Sequence, residues 1–139
     1  ETGFALKGAI AKGPLTFDSE LGIYFGLPLV DAYLLEEELK FYGIAFHHTV
    51  EELIQQYKEC PPVKGGSRQY IPILEHEIPL KSGKCSHYCI LYHQLKKNLS
   101  KGDYSSVIKN HLKLFSRTVS GSPKIYIDNT RNFLEDAHD

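Results

Sequence analysis

Short stretches of alternating apolar and polar residues, separated by glycine- and proline-containing breaks, run along the first two-thirds of the chain. Alternation with a period of two predicts strands, and Gly13-Pro14 ends the first of them. Residues 81–83 join the two longest predicted strands and carry a hairpin signal. The predicted strands cover residues 6–11, 15–17, 22–25, 44–46, 69–78 and 84–92.

Apolar residues three and four positions apart predict helices between and after these strands. The clearest helix places Val30, Tyr33 and Leu34 on one face, has Pro28 in its first turn and should end at Gly43. Thr49 and Glu52 form a capping box that predicts the start of the next helix. The predicted helices cover residues 28–42, 49–57, 94–99, 104–116 and 123–137.

The succession of these elements predicts an α+β fold with two parts. Strands and helices are mixed up to Tyr92, and from His93 onward the pattern is helical throughout. We therefore expect an α/β core over residues 1–92 and a helical C-terminal extension over residues 93–139. The chain opens with Glu1 instead of a starting Met, so we expect a fragment, a processed product or the ordered part of a longer protein.

Composition and charge narrow the classes of function. In 139 residues, hydrophobic residues make up 42% and charged residues 24%, the ordinary balance of a globular domain. The net charge of -1 argues against a nucleic-acid binder, which needs a basic excess to neutralise phosphates. No apolar run approaches the roughly 20 residues that span a bilayer. With no signal pattern at the start of the chain, we expect a cytoplasmic protein without a membrane partner.

The three cysteines, Cys60, Cys85 and Cys89, are an odd number without a secretory signal, which fits free thiols in a reducing compartment. Cys85 and Cys89 share one face of a predicted strand, with His87 between them. A metal site and three ordinary strand residues are both open interpretations, because a zinc site needs further ligands. The pair His47-His48 invites a metal or acid–base role, but neighbouring strand residues point to opposite faces.

The order of strand, strand, glycine, helix, short strand, helix and hairpin resembles the second half of the class III nucleotidyl cyclase fold. Residues 23–36, IYFGLPLVDAYLLE, resemble the strand, glycine and helix unit of that family. The other stretches that carry the resemblance are residues 6–14, 44–53 and 78–84, which together span roughly residues 5–92. The residues in these stretches resemble most those of a prokaryotic branch of the family, which includes the pyrimidine cyclases of Pycsar antiphage systems.

The resemblance implies a ferredoxin-like fold, with an antiparallel sheet and helices on one face, plus the C-terminal helices. It also implies an activity. The whole protein would form a 3′,5′-cyclic nucleotide, cUMP or cCMP, from a nucleoside triphosphate with Mg or Mn, in antiphage signalling. In the family, the metal carboxylates lie in the N-terminal half, which this chain lacks. The resemblance therefore implies as partners that missing half or a second copy in a head-to-tail homodimer.

Three positions depart from the pattern of the family. Where its helix carries an Asn and, four residues later, an Arg, this chain has Val30 and Leu34, which cannot donate hydrogen bonds. Ile23 occupies the base-reading position just before Tyr24, so no carboxylate is available there to select adenine. These departures favour an alternative, a catalytically degenerate domain that binds nucleotide or a protein partner. A third interpretation is a dimerisation module that uses the apolar helix face.

The candidate nucleotide-binding residues follow mostly from the resemblance. The hairpin lysines would contact phosphate as point charges, Lys84 being the better match. Asp31 and Tyr33 could line a pocket in place of the missing Asn, and a guanidinium in the last helix could reach a phosphate. For each, a solvated surface side chain or an ordinary helix face is the alternative. The full set is Lys84, Lys81, Ile23, Tyr24, Asp31 and Arg131.

Overall fold

The computed structural model describes residues 5–60, 70–95 and 104–137. Within them the chain forms a four-stranded sheet, a separate two-stranded hairpin and five helices. The elements are β1 (Gly8–Ile10), β2 (Thr16–Asp18), β3 (Ile23–Phe25), α1 (Leu27–Glu38), β4 (Ile44–Phe46), α2 (Glu51–Glu59), β5 (Ile73–Leu80), β6 (Gly83–Ile90), α3 (Tyr92–Leu95), α4 (Tyr104–Phe115) and α5 (Ser122–Asp136). The α+β class predicted from the sequence is confirmed.

The sheet is mixed, in the order β1-β4-β6-β5. β1 runs parallel to β4, and the other two pairings are antiparallel. The expectation of an antiparallel sheet is wrong for β1, because the chain crosses over through α1 before β4 and therefore enters it in the same direction. The hairpin β5–β6 is the longest pairing. Its two-residue turn is followed by Gly83, whose φ of 136° disfavours other residues.

Helices cover both faces of the sheet, where the cyclase resemblance implied helices on one face only. Ala45 and Phe46 are consecutive residues of β4, so their side chains point to opposite faces. Ala45 belongs to a core that includes residues of α1, α4 and α5. Phe46 packs with Val50, which directly precedes α2, and with Ile54 within α2. The C-terminal helices therefore share a core with the sheet. None of the helices in the described ranges is long and apolar enough to cross a membrane.

α1 ends at Glu38, four residues before the predicted end of this helix. Leu39 turns to an extended conformation, with φ -62° and ψ 127°, and forms a bridge with Leu80. Lys40 then donates its backbone N–H to the Pro79 carbonyl at 2.9 Å. Leu39 is completely buried. Burial against β5 thus outweighs the local helical pattern, and the prediction that Gly43 ends this helix is wrong.

The predicted capping box at Thr49 is also wrong. Thr49 lies inside a 3₁₀ turn over His48–Val50, and α2 starts at Glu51 without a side-chain cap. The Thr49 hydroxyl instead accepts the backbone N–H of Lys12 at 3.0 Å and lies 3.1 Å from His47 Nδ1. A hydroxyl that is held by the loop after β1 is not available to cap α2.

Candidate functional site

The two hairpin lysines have different surroundings. Lys81 Nζ lies 3.3 Å from Glu37 Oε2, and its backbone N–H donates to the Glu38 carbonyl at 2.8 Å. The hydrogen bond to Glu37 raises the pKa of the Lys81 amine. Lys84, which lies opposite Pro79, is exposed and has no ion pair within the part of the chain that the structure describes. An anion that binds Lys81 would have to displace Glu37, whereas an anion that binds Lys84 would displace no carboxylate of the described residues.

Ile23 and Tyr24 lie on β3, in the separate hairpin. Their side chains are exposed, and the Tyr24 ring stacks on Phe17 of β2 with 4.5 Å between centroids. The structure therefore places the predicted base-contacting pair on an open surface, and the Tyr24 contact within the chain is an aromatic cross-strand pair.

The candidate residues of α1 do not share one environment. Asp31 is half-buried and close enough to His47 for its negative charge to favour protonation of that imidazole. Val30, Tyr33 and Leu34 are at least half exposed, although they are large and apolar. The two positions that depart from the family pattern thus form part of an exposed apolar surface.

Arg131 lies on α5, and the contacts of the described residues do not join it to the hairpin lysines. Its guanidinium pairs with Asp128, one helical turn earlier, at 3.6 Å. The adjacent residues are structural. Asn129 donates to the Lys40 carbonyl at 2.8 Å, and the buried Thr130 hydroxyl accepts the Tyr42 backbone N–H at the same distance. Arg131 therefore remains a half-exposed cation within the helix that anchors the segment after α1.

Three histidines lie in a row across neighbouring strands. His76 is directly opposite His87 in the β5–β6 ladder, and continuing the β4–β6 register beyond Ala45 and Cys89 places His47 opposite His87 on its other side. Opposite residues share a face, so this histidine row lies on the side covered by α1 and α5. Sequence reasoning missed the row because it depends on the pairing of three separate strands.

The surroundings of His47 make its protonation unfavourable. Burial lowers the pKa of the His47 imidazole first, and the nearby rings of His48 and His87 lower it further. The carboxylates of Asp31 and Glu51 oppose this effect in part. The His47 and His48 rings are in contact, with 4.1 Å between centroids.

The cysteines and histidines of β6 do not form a metal centre. Cys85 is exposed and Cys89 is buried, and burial raises the pKa of the Cys89 thiol to about 12. Among the residues described, no three His, Cys, Asp or Glu side chains are placed to hold a metal ion. The Mg or Mn that the cyclase resemblance implies therefore has no fitting ligand set in this part of the chain.

Exposed apolar side chains cluster in sequence around the hairpin and α1. We call this surface the hairpin–helix face, because it covers β2, β3, the residues beside them and the outer side of α1. Eleven large apolar side chains contribute to it, each between 44% and 71% exposed. They are Leu15, Phe17, Leu21, Ile23, Tyr24, Phe25, Leu27, Leu29, Val30, Tyr33 and Leu34. The alternating sequence predicted the strands here, but not that their apolar side chains would be left uncovered.

Comparison with known proteins gives no match to a family model, to a curated protein or to a solved structure.

Proposed function

We propose that this chain is a cyclase-like domain that works by association, with its hairpin–helix face docked on a second copy of the chain. The observation that carries the proposal is the exposure of that face. Soluble proteins rarely expose a contiguous apolar patch of more than a few hundred Å², and larger patches mark interaction sites. The eleven side chains, on both sides of the ribbon and on α1, together expose on the order of 1,000 Å², and a stable interface needs about 800 Å² from each partner.

The β2–β3 hairpin has the features of a segment that is stabilised by binding to a partner. A two-stranded ribbon is at best marginally stable alone in water. Here Phe17 and Tyr24 stack on one side of the ribbon, while the next pair in the ladder, Thr16 and Phe25, faces the other side. Apolar residues on both sides of an isolated ribbon have no core of their own to enter. A partner surface would bury them and stabilise the hairpin.

A polar margin borders the helical part of the face. Val30, Leu34 and Glu37 follow one side of α1, and Glu37 forms the ion pair with Lys81 at its end. An apolar centre with a charged rim is the usual construction of a protein interface. The ion pair between Lys81 and Glu37 would remain in solvent while the second copy covers the apolar residues.

The test is the mass of the protein in solution as a function of concentration, measured by sedimentation velocity. We expect the double variant Tyr24→Ser, Leu34→Ser to weaken self-association at least tenfold, since it removes one large exposed apolar side chain from the hairpin and one from α1. Leu114→Ser on α4 is the matched control, because Leu114 is 60% exposed outside the face. Equal masses for all three proteins at every concentration would contradict the proposal.

Nucleotide chemistry is a second candidate, which the exposed Lys84 favours. In this version the whole protein, with the N-terminal half to which the resemblance assigns the metal carboxylates, forms cUMP or cCMP from the corresponding triphosphate, and Lys84 contacts the phosphates as a point charge. The assay is incubation of that whole protein with Mn and all four ribonucleoside triphosphates, with products resolved by mass. A cyclic monophosphate that is lost in Lys84→Ala but kept in Lys113→Ala, an exposed lysine of α4, supports it. The absence of any product, with saturable nucleotide binding, supports a binding domain without catalysis.

A further inference from the structure

β1 is an outer strand of the four-stranded sheet, and one side of its backbone faces away from β4. Gly8 donates its N–H to the Gly43 carbonyl at 2.9 Å, and the Ile10 carbonyl accepts the N–H of His47 at 2.8 Å. Gly8 and Ile10 therefore use their backbone groups on β4. Because backbone groups alternate in direction along a strand, Ala9 directs its N–H and C=O outward, where no described residue pairs with them.

Two apolar cavities lie along this open edge. One has a volume of about 520 Å³ and the other about 590 Å³, and both include Ala9 and Ile10 in their lining. The second cavity is walled by Leu29 of α1 on one side and Leu53 of α2 on the other. At Gly8, an added Cβ atom would meet nothing within 4 Å. The edge of β1 is thus an apolar trough with open backbone groups on its floor.

We propose that the second copy adds its own β1 to this edge, antiparallel and centred on Ala9, so that two four-stranded sheets join into one. The pairing rests on the proposed function, since it specifies how the same two copies associate. The trough is continuous with the hairpin–helix face, because Leu15 and Leu29 belong to both. A partner that covers the face therefore also reaches the trough.

The outward backbone N–H and C=O groups determine the register in which the β1 strands of the two copies pair. With Ala9 on the two-fold axis, it exchanges two hydrogen bonds with Ala9 of the other copy, and Lys7 and Ala11 pair in the same way on either side. Small side chains at Gly8, Ala9 and Ala11 let the two backbones approach.

This register also places Leu6 beside Lys12 of the other copy, at the cavity walled by Leu53. Leu6 is 75% exposed and would be buried there.

The apolar area of the trough alone supports only weak association. Its most exposed apolar side chains offer on the order of 450 Å² per copy, so the pair would bury about 900 Å², below the range of stable complexes. They are Leu6, Ile10, Leu15, Leu29 and Leu53. Strand pairing therefore orients the two copies, and the hairpin–helix face contributes most of the area.

Ala9→Pro is the variant that tests the pairing. Proline at an outer strand removes only the N–H that points away from the sheet, and the bonds of Gly8 and Ile10 to β4 remain. We expect at least a tenfold weaker dimer by sedimentation velocity with an unchanged circular dichroism spectrum. If Ala9→Pro misfolds, Leu6→Lys takes its place, because Leu6 is mostly exposed within one copy and a charge would enter the apolar cavity of the other. Leu114→Lys is its control.

Hydrogen exchange at the Ala9 amide gives a direct reading, with the Gly8 amide, bonded within the chain, as reference. Protection of Ala9 that grows with protein concentration supports the pairing. A dimer in which Ala9 exchanges freely and Ala9→Pro associates normally overturns the pairing and leaves the proposed function standing. A protein that stays monomeric at all concentrations overturns both. Protection of Ala9 that does not depend on concentration overturns the pairing, because a segment of the same chain would then cover the edge.

Discussion

At His47, burial and the neighbouring rings of His48 and His87 oppose protonation, which makes the folded state sensitive to acid. The pKa of this imidazole is lowered in the folded protein, while the unfolded chain has the ordinary value of about 6.5. The unfolded state therefore binds the proton more readily, so stability rises with pH through this window. We expect the free energy of unfolding to be fully retained above pH 6.5 and to decrease as pH falls below it.

Urea unfolding at a series of pH values between 5 and 8 measures this effect. His47→Gln should flatten the decrease below pH 6.5, because it removes the group that takes up the proton. His111→Gln is the control, since His111 lies on α4 and its Nδ1 atom is 2.9 Å from the carbonyl of Val107 in the same helix. An equal slope in His47→Gln and in the unchanged protein would show that His47 does not carry the dependence.

At the scale of the element, the join between the hairpin and α1 depends on Gly26. A Cβ atom added there would lie 2.6 Å from the Pro14 carbonyl oxygen, a backbone atom that cannot move aside without displacing the hairpin. We expect Gly26→Ala to lower the free energy of unfolding by about 1–3 kcal/mol, the usual cost of forcing extra atoms into a packed site. Gly8→Ala, where the added Cβ meets nothing, should change it little. Equal effects in denaturant titrations would contradict this role of Gly26.

At the scale of the whole molecule, α5 connects the C-terminal part to the sheet. The Phe133 ring packs on Phe41 with 4.9 Å between centroids and receives the edge contact of His76 at 5.4 Å. Because Phe133 belongs to the core that contains Ala45, we expect Phe133→Ala to destabilise the whole sheet by about 3–5 kcal/mol. Probes of the sheet and of α5 should then report one unfolding transition. Loss of α5 structure with the sheet intact would show that the two parts unfold separately.

Much of the secondary structure follows from local patterns. The strand over Ile44–Phe46 was predicted at its observed bounds, and the β5–β6 hairpin was predicted from its turn signal. The predictions went wrong where a long-range contact competes with a local preference. Leu39 leaves the helix to pair with Leu80, and the Thr49 hydroxyl binds the loop after β1 instead of capping α2.

The candidate site was less accessible to sequence reasoning. The lysine positions came from a turn signal and a resemblance, but the ion pair that separates Lys81 from Lys84 requires α1 to lie against the turn. The histidine row needs the register of β4, β5 and β6 together. The hairpin–helix face could not be found from alternation, because the same apolar pattern describes a strand with a covered face and a strand without one.

Periodicity, turn residues and composition establish the α+β class and the approximate positions of most elements, because they act through forces between residues near one another in the chain. The parallel pairing of β1 with β4, the placement of helices on both faces and the open edge at Ala9 come from packing between distant segments. A strand pattern specifies which residues share a face, and only the assembled sheet specifies which neighbour each face and each edge receives.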